Sequence, residues 1–208
     1  MRFYVDETFQ LFDKEHGRKP FYALAAIGIP YEEEEPIREF LKAKGHGEPI
    51  HGTELLRSDS GHKELMEISK RISHKCIELV TSCPVEKNDR SGEKARERLI
   101  KALSRHIIQH YPQTKKILFE QRLSGYPTEE DARTFKEVEH ELKASGIDLE
   151  QAYKTSEPLL WAADLLATSY RQMMTRAIDR YFDAWQAEVV IPDLSSDYRD
   201  QEIHHDKT

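Results

Sequence analysis

Four carboxylates stand where carboxylates are costly. Asp164 lies in LLWAADLLATSY, residues 159–170, which reads as a helix of apolar and small residues. On that helix it would lie against Leu160 and Trp161 one turn back and Ala167 and Thr168 one turn on. Asp6 follows the apolar Phe3, Tyr4 and Val5 in the strand-like FYVDE, Glu120 ends ILFE, and Glu54 sits in IHGTELL. An ionised carboxylate among apolar neighbours is expensive and tends to protonate, and several brought together repel one another. A divalent cation answers both objections, because it supplies opposite charge and satisfies the oxygens. Hard oxygen ligands and few cysteines favour magnesium or manganese over zinc. Two such ions roughly 3.5 to 4 Å apart are a common device for phosphodiester hydrolysis.

Each acid also has an ordinary reading. Asp6 at a strand end could cap a turn, and Glu120 could form an ion pair with nearby Arg122. Glu54 could merely start a short helix. Asp164 has the fewest structural uses. His51, three residues before Glu54, could hold a phosphate or a water. His106 and His110 are four apart, but a zinc site needs further ligands, so His106 reads as a hydrogen-bonded core histidine. His204 and His205 belong to the tail and read as solvated.

The elements that must position these residues follow from periodicity. Residues 3–7 and 21–30 read as strands, the second more continuously apolar. YEEEEPIREFLKAK, 31–44, predicts a helix with acids in its first turn and lysines in its last. Glycines and a proline make 45–56 a loop or short turn. Helical spacing returns over 61–74, and 76–85 reads as a strand. Residues 91–111 form an amphipathic helix with Leu99, Ala102, Leu103, His106 and Ile107 on one face. The acid run 32–35 and the basic residues of 91–111 read as solvated faces, with Glu93 and Glu97 interrupting any nucleic-acid patch. A strand at 115–121, a helix ending at Gly146, a short strand after it and the Asp164 helix complete the pattern. That last helix is predicted to run, bent or broken, towards Trp185. Alternating strands and helices favour an α/β sheet covered on its faces.

The chain has 208 residues, 33% of them charged and 38% hydrophobic, with a formal net charge of -7. These values predict one globular domain over 1–193 and a polar tail over 194–208. No run approaches the roughly 20 apolar residues of a membrane span. The N-terminus has no apolar signal region, so a cytoplasmic protein with reduced Cys76 and Cys83 is expected. The acidic balance gives no global attraction to nucleic acid and leaves only a local basic groove as a means of binding it. Phosphate-cradling glycine loops and the G-x-S-x-G serine elbow are absent.

FYVDE, IHGTEL, ILFEQR followed by Asp131, and the S-x-x-x-L-W-A-A-D-L-L-A segment, in this order, resemble the family catalogued as domain of unknown function 3800. The resemblance covers about residues 2–175. It implies a ribonuclease H-like fold, a mixed sheet with helices on both faces, whose acids come from the first strand, a following helix or loop, a later strand and a late helix. Asp6, Glu54, Glu120 and Asp164 occur in that order and would be both metal ligands and catalytic groups, with His51 and Arg122 as substrate contacts. Asp6 would bridge the ions, Glu120 and Asp164 would each hold one, and Glu54 would orient water. Strand alternation sends Glu7 to the other face from Asp6. The chain departs from ribonuclease H proper in one respect: a helix follows only two strands where a three-strand meander is expected. The resulting expectation is a magnesium- or manganese-dependent nuclease or phosphodiester hydrolase acting on nucleic acid. Its alternative is a non-catalytic binding or regulatory module of the same fold, its acids paired with lysine or arginine.

Overall fold

The computed structural model describes residues 1–12, 19–122 and 129–192, without the side chains of 129–131. The polar tail, its two histidines and the role of Asp131 lie outside the described residues. The strands are β1 (Arg2–Gln10), β2 (Phe21–Ile29), β3 (Ile77–Pro84), β4 (Lys116–Glu120), β5 (Asp148–Ala152) and β6 (Glu188–Val190). The helices are α1 (Tyr31–Lys44), α2 (Gly52–Leu55), α3 (Asp59–Ser73), α4 (Glu93–His110), α5 (Glu129–Ala144), α6 (Leu159–Arg176) and α7 (Arg180–Asp183).

The strands form one sheet in the order β5-β4-β1-β2-β3-β6. β2 pairs antiparallel with both β1 and β3, whereas β1–β4, β4–β5 and β3–β6 are parallel. The three-strand meander is therefore present, with α1, α2 and α3 inserted between its second and third strands. All nine residues of β2 are buried, as expected of an inner strand covered on both faces and visible in its unbroken apolar run.

Strand alternation divides the interior into two cores. Tyr4, Ala23, Ala25, Val80 and Leu118 pack with α1, α3, α6 and α7 on one face. Phe3, Val5, Leu24, Leu79, Ile117 and Phe119 pack with α4 and α5 on the other. The fold is thus a mixed sheet with helices on both faces.

α6 is buried along most of its length, including Leu159 to Ala163 and Leu165 to Tyr170. Its small residues Ala162, Ala163 and Ala167 suit a close approach to the sheet. The helix ends at Arg176, followed by Ala177 in the left-handed region at φ 52°, so the segment towards Trp185 is broken rather than bent. Trp185 is fully buried and donates its indole N–H to Ser169 Oγ at 3.1 Å. Cys76 and Cys83 are unbridged, and burial pushes the Cys83 thiol up to about 11. No described helix is long and apolar enough to cross a membrane.

Candidate functional site

β1 and β4 run side by side in parallel, with Val5 opposite Phe119. The next residues, Asp6 and Glu120, therefore lie where the β1–β4 pairing ends, Asp6 still paired with Ala25 of β2 and Glu120 with Ala152 of β5. Both have the parity of Tyr4 and Leu118, so both face α6. α6 crosses that face and contributes Asp164. Three carboxylates from two strands and a helix thus meet where the β1–β4 pairing ends.

Their meeting point is the ammonium of Lys154. Nζ lies 2.9 Å from Asp6 Oδ2, 3.0 Å from Glu120 Oε2 and 3.1 Å from Asp164 Oδ1. Lys154 follows β5 by two residues, on the parity of Ala152, which pairs with Glu120. The Trp161 indole N–H donates to the Lys154 carbonyl at 2.8 Å and ties its backbone to α6. The remaining carboxylate oxygens draw on the backbone. Asp6 Oδ1 accepts from the Glu7 N–H at 2.7 Å, and Asp164 Oδ2 accepts from the Gly52 N–H at 2.7 Å. Position 52 must be glycine for that approach: a Cβ there would lie 2.5 Å from Thr168 Oγ1.

One ammonium does not neutralise three acids. Burial, then a hydrogen bond shared with Glu120, pushes the Asp6 carboxyl up to about 8, with Lys154 pulling the other way. Burial and the Asp6 charge raise Asp164, against the opposing pull of Lys154 and the Gly52 N–H. For Lys154, burial opposes the charged form, but Asp6, Asp164 and Glu120 together outweigh it and hold the amine above its usual value. The cluster therefore keeps its lysine charged while being short of positive charge.

The other sequence candidates lie elsewhere. His51 and Glu54 are exposed, His51 preceding α2 and Glu54 within it. What α2 presents to Asp164 is the Gly52 backbone. Arg122 reaches the opposite face. Its guanidinium donates to Glu7 Oε1 at 2.7 Å, Glu93 Oε1 at 2.6 Å and the Tyr22 hydroxyl at 2.6 Å. The ion pair considered between Arg122 and Glu120 is replaced by Lys154 on Glu120. Glu7 also accepts from Arg96 Nε at 2.6 Å. Burial alone would raise the Glu7 carboxyl, but Arg96 and Arg122 overcome it and hold it below the usual range. His106 corrects another expectation: its buried Nε2 makes no hydrogen bond and lies 3.7 Å from Glu188 Oε1.

Lys154 was not visible as a site residue in the sequence. Its strand is short and mostly polar, and only the neighbourhood of β4 and β5 brings it beside Glu120. Among the described residues, no group of three or more His, Cys, Asp or Glu side chains forms a ready-made metal site. At the carboxylate cluster, the oxygen-to-nitrogen separations near 3 Å suit an ammonium. The donor set, three hard carboxylates around one cation position, nevertheless suits magnesium or manganese chemically.

No protein-family model matches the chain. No curated protein matches it either. Among solved structures it is similar to the ribonuclease HII of Archaeoglobus fulgidus, determined in complex with PCNA, with a TM-score of 0.50 and 16% identity. The similarity covers 88% of this chain and 76% of that one. The chain has a ribonuclease H-like fold, in agreement with its strand order and two covered faces.

Proposed function

We propose that this protein is a divalent-metal-dependent nuclease or related phosphodiester hydrolase, and that it belongs with the domain of unknown function 3800 proteins it resembles. The observation that carries the reading is the convergence of Asp6, Glu120 and Asp164 on a single cation position. The sequence separates these residues widely, and a fold without use for a cation has little reason to gather them. Asp6, Glu120 and Asp164 would hold magnesium or manganese. When bound, such an ion supplies Lewis-acid stabilisation of phosphate charge and acidifies water.

The chain's own groups give the site its form. The Gly52 and Glu7 N–H groups fix the outer oxygens of Asp164 and Asp6, leaving the inner oxygens directed at the cation position. Exposed Glu54 and His51 lie beside Gly52, whose N–H holds Asp164; on nucleic-acid binding Glu54 would orient water and His51 would contact a phosphate. Arg122 would act indirectly, by holding Glu7 and so the stretch of β1 beside Asp6.

The test is cleavage of single- and double-stranded nucleic acid with manganese or magnesium, comparing the wild type with Asp6→Asn and Asp164→Asn. Each substitution is expected to lower cleavage by about 100-fold or more, with the circular dichroism spectrum unchanged. Cleavage surviving in both variants excludes these roles.

A second reading has its own observation. Lys154 already pairs with all three acids, as a non-catalytic module of this fold would require. Thermal unfolding with millimolar manganese separates the two readings. A metal site gains stability with metal and a lysine-satisfied binding module does not.

A further inference from the structure

We propose that Lys154 is the resident cation of the carboxylate site, and that it must withdraw before a divalent ion can be held there, so that the lysine sets the threshold for metal loading. This inference rests on the metal-site reading above and adds to it how that site is regulated.

The argument is geometric. Lys154 Nζ is within 3.1 Å of one oxygen from each carboxylate, so it occupies the position those oxygens define. A magnesium or manganese ion bonding the same oxygens at about 2.0 to 2.2 Å would need that volume. The ammonium and a dication cannot share it, because like charges at such a separation repel strongly in a poorly solvated site. The carboxylates at the same time favour exchange, since one ammonium leaves more of their charge unmatched than a dication would.

The lysine is built to leave without the fold moving. Its carbonyl is held by Trp161, whose side chain is buried in the core, so the backbone at 154 is anchored. The flexible four-carbon stem is the part free to rotate. The Lys154 side chain keeps 11% exposure, so it is not fully sealed from solvent. Withdrawal is thus a side-chain rotation towards solvent. An arginine or a backbone donor in the same position could not be exchanged so simply.

The lysine also explains why the acids stay together without metal. Three carboxylates at one point would repel and push β1, β4 and α6 apart. Lys154 holds them at the spacing from which a small inward movement completes a metal site.

The experiment measures manganese affinity by calorimetric titration of the wild type and of Lys154→Met. In parallel, peptide mass spectrometry follows reductive methylation of Lys154 in the wild type with and without manganese, with exposed Lys42 as internal reference. The expected result is at least about tenfold tighter manganese binding in Lys154→Met, because the competing state has been removed. Methylation of Lys154 relative to Lys42 should be slow without metal and rise several-fold with it. If manganese binds both proteins but no more tightly to the variant, or Lys154 stays protected in the loaded wild type, the lysine proposal is overturned while the metal site stands. If manganese binds neither protein, both fall. Should Lys154→Met not fold, the wild-type methylation arm and the milder Lys154→Gln decide the matter in the same way.

Discussion

Asp6 and Glu7 are adjacent on one strand and lead opposite lives. Asp6 faces α6 in a group of three acids served by one lysine. Glu7 faces α4 between two arginines, Arg96 and Arg122. Burial raises the proton affinity of both. On the Asp6 side the surplus of acids adds to that effect, and on the Glu7 side the arginines reverse it. The difference distinguishes a clamp from a socket. A clamp matches each buried charge and is spent on holding the strand, whereas a socket keeps unmatched negative charge, which on our proposal lets it exchange its ammonium for a dication.

The comparison breaks if the two faces respond alike to substitution. The largest effect is expected from Glu7→Gln, which leaves two guanidinium groups without their shared carboxylate. It should cost about 3 kcal/mol in chemical denaturation, in the range for removing one partner of a buried ion pair. Next comes Gly52→Ala, whose methyl meets Thr168 and pushes α2 away from α6. A cost of about 1 to 3 kcal/mol is expected, with weaker manganese binding because Asp164 loses its N–H partner. A variant as stable as the wild type would show that α2 does not need that approach. Asp6→Asn should act in the opposite direction. Removing one of three repelling acids is expected to stabilise the metal-free protein by about 1 kcal/mol at neutral pH, the pattern of a site strained for function. A destabilised Asp6→Asn would make Asp6 a structural partner like Glu7.

The pH response sharpens the same contrast. The Asp6 value rises from 3.8 unfolded to about 8 folded. Between those limits the native state binds the proton more strongly than the unfolded chain. Stability of the metal-free protein should therefore fall as pH rises through that window, and the fall should be shallower in Asp6→Asn. Glu7 is depressed from 4.5. Its contribution is complete above that unfolded value and lost as pH drops through the lower folded one. Unfolding midpoints from pH 3 to 9 for the wild type, Asp6→Asn and Glu7→Gln separate the two slopes. Identical profiles for all three would erase the distinction.

The sequence carried the parts of this arrangement that depend on local pattern. Alternation in FYVDE separates Asp6 from Glu7, and the apolar neighbours of Asp164 mark an acid that a packed helix must justify. The parts it could not carry depend on what the sheet brings together. β2 pairs with β3 across the inserted helices, a partnership between segments nearly 50 residues apart that no periodicity records. Lys154 is an ordinary lysine after a polar edge strand until β5 pairs with β4. The segment 50–56 drew attention to the side chains of His51 and Glu54, but its contact with Asp164 is a backbone N–H, which every residue except proline possesses. Arg122 lies two residues from Glu120 in the chain, yet its long side chain reaches the opposite face of the sheet, to Glu7.

The central claim is that the three acids form a cation socket, and a manganese titration of the metal-free protein beside an Asp6→Asn/Asp164→Asn double variant tests it most directly. The account predicts saturable binding to the wild type and a loss of at least about 100-fold in the double variant. Equal binding by the two proteins, or none by the wild type and by its Lys154→Met form, would contradict it.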